Sequence, residues 1–205
     1  MVNVVDNSYE LFYNLINLYE NAIKEERSVK MHVKSGSYKL IAKNSHTRFY
    51  SVPVTTDGIL QKEPFLVVDK ENSATVIARN ENNEILLVKQ HRFAIDKISW
   101  ELPQGSQEEG ETLLATACRE FKEETGYLIE GELNLVGTIN EAADWCTTTS
   151  NVYYIDKVKE VGGSELLIGW QSQEQIISKI NNGELFDAPT LAALYLYQNV
   201  LESRD

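Results

Sequence analysis

Residues 105–127 read GSQEEGETLLATACREFKEETGY, and no other stretch constrains the chain as much. The run from Thr112 to Thr125 contains neither glycine nor proline, and Gly126 follows it as a stop, so a helix is predicted over about 112–125. On it Leu114, Ala117, Cys118 and Phe121 recur at i, i+3, i+4 and i+7, an apolar stripe expected to face a sheet. Glu120, Glu123 and Glu124, at i, i+3 and i+4, are expected on another face with their carboxylates converging on one point. Three like charges so placed destabilise a bare helix and raise one another's proton affinity. A hard divalent cation removes that conflict, because Mg²⁺ takes oxygen ligands and keeps waters that a phosphate can replace. Arg119, on the adjacent flank, is placed to pair with Glu111 or Glu123 and to hold the array in register. For three glutamates alone, a solvated acidic face is the competing reading.

Charge distribution points to the same segment. The 205 residues carry a formal charge of −12, and residues 101–150 alone hold 11 acids against 2 bases. Such a chain is not built to neutralise a phosphate backbone, so no nucleic-acid partner is expected. The start, MVNVVDNSYE, lacks the pattern of a signal peptide, and no run approaches the roughly 20 apolar residues of a membrane span. Cys118 and Cys146 have no metal-binding spacing and are read as free thiols of a cytoplasmic protein. His32, His46 and His91 share no spacing that converges on a site.

Residues 8–26 place Phe12, Leu15, Ile16, Tyr19 and Ile23 at helical spacing, with Asn7 and Glu10 as a capping pair, and predict an amphipathic helix. Short β-rich runs follow at 38–42, 47–54, 64–69, 74–79 and 84–90, with further strands expected at 133–139, 151–156 and 166–170, mostly antiparallel. Helices are expected at about 172–182 and 189–203, the latter opened by Asp187 and Pro189. The order of elements is that of an α+β protein. Residues 1–60 form an N-terminal helix and β-rich extension, a candidate dimerisation element, and residues 61–205 the main domain.

The segment 105–127 fits Gly-x5-Glu-x7-Arg-Glu-U-x-Glu-Glu-x-Gly-U, where U is bulky and apolar, at all seven fixed positions: Gly105, Glu111, Arg119, Glu120, Glu123, Glu124 and Gly126. A chance match in a chain of this length is on the order of one in a million. Phe121 and Tyr127 fill the two U positions. The chain therefore resembles the Nudix hydrolases. That resemblance implies a Nudix fold of mixed β-sheets sandwiched between helices and Mg²⁺-dependent cleavage of a P–O–P bridge, Mn²⁺ serving as a substitute. It further implies that Glu120 and Glu124 are metal ligands, that Glu123 is a ligand or lies close behind one, and that the carbonyl of Gln104 completes the set.

Upstream, Gln90, Arg92, Trp100, Glu101, Leu102 and Pro103 resemble the run seen in the ADP-ribose pyrophosphatase and nucleoside diphosphate sugar branch. Arg92 is then expected to contact the diphosphate or terminal ribose, Glu101 to bind substrate or a metal-bound water, and Trp100 to stack on a base. Glu165 is the preferred general base, ahead of Glu160. The proline usual in ADP-ribose enzymes about 15 residues after the box is absent from INEAADWCTTTS, where Asp144 or Trp145 is expected to shape the pocket. The resemblance implies a homodimeric hydrolase of a nucleotide sugar. The alternatives are a dinucleoside polyphosphate or RNA-end pyrophosphohydrolase, suggested by residues 102–105, and a non-catalytic ligand sensor, which the intact glutamates disfavour.

Overall fold

A computed structural model describes residues 32–202 of the chain. The helix expected at 8–26 lies outside these residues. Contacts divide the described chain into two compact units, residues 32–39 with 51–65, and residues 40–50 with 66–202.

In the smaller unit, β1 (His32–Lys34), β4 (Val54–Thr56) and β5 (Ile59–Leu60) form an antiparallel sheet in the order β1-β4-β5. Asp57 and Gly58, at φ 51° and 81°, make the tight turn between β4 and β5, where two successive positive φ values suit Asp-Gly. The strands β2 (Lys39–Lys43), β3 (Thr47–Val52) and β6 (Phe65–Lys70) form another three-stranded sheet in the order β2-β3-β6.

The larger unit is organised around β7 (Ser73–Ala78), all six residues of which are buried. It lies in a four-stranded mixed sheet between β10 (Gln104–Ser106) and β13 (Thr149–Ile155), with β12 (Asn134–Asn140) at the far edge. Most pairings are antiparallel, as expected, but β7 and β13 run parallel. A three-stranded sheet combines β8 (Ile85–Arg92), β9 (Lys97–Glu101) and β15 (Leu167–Gln171), and β11 (Tyr127–Ile129) pairs with β14 (Val158–Glu160).

Among the described residues the α-helices are α1 (Leu113–Thr125), α2 (Gln173–Asn181) and α3 (Ala188–Glu202). Alternation along β7 assigns each face its cover. Ala74, Val76 and Ala78 pack with Ala117 and Phe121 of α1, whereas Ile77 joins Val152, Ile176 of α2 and Ala193 and Tyr197 of α3. The sheet is thus sandwiched between helices, as the resemblance implied. The predicted apolar stripe of α1 needs correction: Leu114 is 48% exposed and Cys118 is also exposed. The buried side consists of Thr116, Ala117, Phe121, Glu124 and Thr125. Glu124 lies seven residues beyond Ala117 and so two turns along the same face.

Candidate active site

The site is assembled on α1 and the short edge strand β10. Thr112 caps the helix by accepting from the Ala115 amide (3.2 Å), and Gly126 ends it at φ 70°. Before the first turn, the Glu111 carboxylate accepts from the Glu108 amide (3.1 Å) and the Thr116 hydroxyl (2.9 Å). Arg119 then grips Glu111 with two nitrogens, at 2.8 and 3.0 Å, and donates to Glu120 (2.8 Å), Glu123 (3.2 Å) and the Ser106 carbonyl (3.0 Å). These bonds tie the loop after β10 to the middle of α1. The pairing of Arg119 with both Glu111 and Glu123 follows the sequence expectation. The guanidinium holds the Glu111 carboxyl down at about 2.

Glu120 and Glu124, one turn apart, both face the β10 backbone. Glu124, 7% exposed, accepts from the Gln104 amide (3.0 Å). Burial pushes its carboxyl up to about 8. Burial likewise raises Glu120, against the pull of Arg119. A Cβ placed on Gly105 would lie 1.9 Å from the Glu120 Cδ and 2.2 Å from both carboxylate oxygens. Any side chain at this position would push the Glu120 carboxylate off the strand. Glu123 is different: its side chain is 45% exposed, drawn outward to Arg119. Among the described residues, no three His, Cys, Asp or Glu side chains form a ready metal cluster. Glu120 and Glu123 meet at the same Arg119 nitrogen, at 2.8 and 3.2 Å, while Glu124 turns to the Gln104 amide.

Beside β10 lies a cleft of about 350 Å³, to whose walls Gln104, Gly105, Arg92, Lys70 and Asp187 contribute. Arg92 donates to both oxygens of Glu101, at 2.8 Å through Nε and by a short contact through its second nitrogen, with Asp187 at 3.9 Å. Glu101 is fully buried and also receives the Gln104 side-chain amide (3.3 Å), which reaches Asp187 at the same distance. Glu101 therefore orients Arg92 and Gln104 from below. Asp187 opens α3 by accepting from the Thr190 amide (2.9 Å), as its place before Pro189 suggested.

The strand register separates Trp100 from this group. In the β8–β9 pairing, Arg92 faces Lys97 and Val88 faces Glu101, while Trp100 pairs with Lys89. Trp100 consequently points to the other face of that sheet, where Lys89 and Lys179 lie over its ring at 5.5 and 4.8 Å. It is not brought to the cleft. Glu165 lies in the loop after β14, whose Gly162 and Gly163 have φ of 77° and 81°. That loop is pinned to the end of α1 by the Glu165 amide donating to the Glu123 carbonyl (2.9 Å) and the Val161 amide to the Gly126 carbonyl (2.8 Å). The Glu165 side chain is exposed.

Lys70, Ser73, Glu141 and Asp187, which also reach the cleft, were not assigned there from the sequence. They come from three separate stretches, Lys70 and Ser73 sharing one, and only Asp187 carried a local signal, as a helix opener. In the segment where Asp144 and Trp145 were expected to shape the pocket, the residue at the cleft is Glu141; Trp145 is 52% exposed.

The two-layered cover of a mixed sheet, with the glutamate helix docked on its glycine strand, defines the class. The chain belongs to the NUDIX domain family, whose profile matches residues 69–183. An ADP-ribose pyrophosphatase of Mycobacterium tuberculosis (strain ATCC 25618 / H37Rv) is 26% identical over 145 residues, 67% of this chain and 68% of that one. A CMP-5'-(N-acetyl-N-hydroxy-3-aminopropyl)phosphonate hydrolase of Streptomyces rubellomurinus is 34% identical over 91 residues, and the chain spans only 44% of its length, as the match spans 44% of this chain. An RNA pyrophosphohydrolase of Bartonella quintana is 37% identical over 76 residues, 37% of this chain and 36% of that one. Among solved structures, one titled as an ADP compounds hydrolase matches the fold with a TM-score of 0.70 at 15% identity, covering 86% of this chain and 97% of that one. The fold and the family read from residues 105–127 are borne out. No helix among the described residues is long and apolar enough to cross a membrane.

Proposed function

We propose that the protein hydrolyses the pyrophosphate bridge of a nucleoside diphosphate joined to a sugar, ADP-ribose or a related nucleotide sugar, releasing a nucleoside monophosphate and a sugar phosphate. The observation that carries this reading is the pair Glu120 and Glu124, folded onto the backbone of Gln104 and Gly105 where that strand walls a cleft bearing Arg92 and Lys70. The donors fit a hard cation, Mg²⁺ or Mn²⁺, because they are carboxylate and carbonyl oxygens and because the burial that raises Glu124 is relieved by a positive charge. Glu120, Glu124 and the Gln104 carbonyl would hold it, with Glu123 at the rim. When bound, such an ion neutralises diphosphate charge and activates water.

The chain's own groups do the rest by position. Arg119 keeps Glu120 and Glu123 in place, and Arg92, oriented by Glu101, meets phosphate oxygens as a planar donor. Glu165, on a loop anchored to the end of α1, is the group we assign to take the proton of the attacking water. The similarity to an ADP-ribose pyrophosphatase over two thirds of the chain supports this choice of substrate. We further propose that residues 1–60 pair two copies of the chain, in which case light scattering gives a dimer mass and a monomer mass refutes it.

A substrate panel with Mg²⁺ tests the activity: ADP-ribose, other nucleotide sugars, dinucleoside polyphosphates and triphosphate-ended RNA, with products separated by ion exchange. Expected are a nucleoside monophosphate and a sugar phosphate from the nucleotide sugars, abolished by a chelator. Products from the dinucleotides or RNA ends alone would favour the other pyrophosphohydrolase reading, supported by the RNA pyrophosphohydrolase similarity. No product from any would leave a ligand sensor.

A further inference from the structure

On the side of the sheet covered by α2 and α3 lies a second cavity, of about 390 Å³, that shares no lining residue with the cleft. Its apolar walls are Ile85 of β8, Ile176, Ile177 and Ile180 of α2, and Leu191 and Leu194 of α3. Ile176 is buried, whereas Ile177 is 49% exposed, so the apolar lining runs from the core out to the surface. The volume falls within the roughly 300–1,000 Å³ usual for sites that take a small ligand, and such sites combine apolar walls with a few polar groups.

Two polar groups supplied by lining residues are not used inside the protein. Arg79, directly after β7, is fixed at its backbone, where its amide donates to the Ile155 carbonyl (2.9 Å). Its guanidinium lies 5.5 Å from the centre of the Tyr154 ring and, among the described residues, forms no ion pair and no side-chain hydrogen bond. Tyr197, 6% exposed, stacks on Tyr154 with ring centres 4.9 Å apart. Both of these phenol hydroxyls are buried without a hydrogen-bond partner among the described residues. A buried hydroxyl is rarely left so, because it loses its hydration and gains nothing in return.

This combination selects a ligand with an apolar body and a single negative charge. A carboxylate matches the parallel N–H groups of a guanidinium and has a second oxygen for a phenol donor. An ammonium head would be repelled by Arg79, and a dianionic phosphate would leave one charge uncompensated beside apolar walls. We infer that the cavity is a binding site for a medium-chain aliphatic carboxylate, whose chain lies between α2 and α3 and whose head is held by Arg79 and the Tyr197 hydroxyl. The site is separate from the hydrolytic cleft and does not depend on the proposed reaction.

Calorimetry would measure hexanoate, octanoate, octanol and octylamine against the full chain and against R79Q, Y197F and I177E, with a melting curve and light scattering for each. The wild type is expected to bind one octanoate per chain, about 10-fold tighter than hexanoate for its two extra methylenes. Octanoate should also bind at least about 10-fold tighter than octanol, the size of a charge-assisted hydrogen bond, and octylamine should not bind. R79Q should bring octanoate to the octanol level. Y197F should weaken octanoate by about 10-fold yet melt no lower than the wild type, because the hydroxyl it removes has no protein partner. I177E, a charge at an exposed rim position, should weaken octanoate by at least about 10-fold with the fold retained. No saturable octanoate binding, equal binding of octanoate and octanol, or undiminished binding by R79Q or Y197F would overturn the inference. So would an oligomer that I177E dissociates, since a second copy of the chain would then be what covers the cavity.

Discussion

Replacing Gly105 by alanine perturbs one contact of known size. The added methyl would sit 1.9 Å from the Glu120 Cδ and 2.2 Å from its oxygens, against an optimal separation of about 3.5–4.0 Å. The carboxylate must retreat by roughly 1.5 Å or more. Gly105 has no positive φ, so the backbone accepts alanine, and the group that yields is the end of a flexible side chain. The stability cost is then that of one displaced rotamer, about 1 kcal/mol, visible as a melting shift of a few degrees. The functional cost is larger, because misplacing an active-site group by about 1 Å costs on the order of 100-fold. The assay is kcat/KM for nucleotide-sugar hydrolysis across a Mg²⁺ titration, with a thermal melt of each variant. In an E120A background the same change should add little, since the atom it displaces is gone. A G105A enzyme with wild-type kcat/KM and Mg²⁺ dependence would refute the reasoning, as would full additivity with E120A.

That contact also shows how far the sequence could be read. The bounds of α1 were legible to within a residue, because Thr112 caps it and Gly126 ends it. The side of the helix that is buried was not. An apolar stripe was expected to exclude the glutamates, yet Glu124 points inward because the Gln104 amide satisfies it. Leu114 and Cys118 are exposed despite their spacing. The strands β9, β10, β11 and β14 were not anticipated: they are three to five residues long, and pairing supplies what local pattern lacks. The parallel partnership of β7 and β13 joins residues 77 apart in the chain, which no local periodicity reports. For the same reason Arg92, Glu101 and the box glutamates were identified by motif, whereas Lys70, Ser73 and Glu141 emerged only when the folded chain brought them to one cleft.

Two more outcomes follow from the ion pairs. The Glu111 carboxyl is held at about 2, below its ordinary 4.5, so its contribution to stability is complete above about pH 4.5 and is lost as pH falls towards 2. Urea denaturation at pH 6 and pH 3 should therefore show a smaller acid loss in E111Q than in the wild type, and an identical loss would contradict that sign. Glu101 is fully buried under Arg92, so E101A takes the main partner from a guanidinium that is 36% exposed and keeps only Asp187 at 3.9 Å, and should destabilise by about 1–3 kcal/mol. Denaturant midpoints should also show R92A costing less in the E101A background than alone, whereas simple additivity would mean the two act independently.

The central claim is that Glu124, inward-facing and bonded to the Gln104 amide, holds the metal on which hydrolysis depends. Glutamine in its place keeps the shape and the amide's acceptor but removes the charge. Rates of Mg²⁺-dependent nucleotide-sugar hydrolysis by the wild type and E124Q, measured side by side with their melting curves, test this most directly. The expected result is a drop of at least about 100-fold, or some 2.7 kcal/mol, with the fold retained. Full activity in a folded E124Q enzyme would contradict the account.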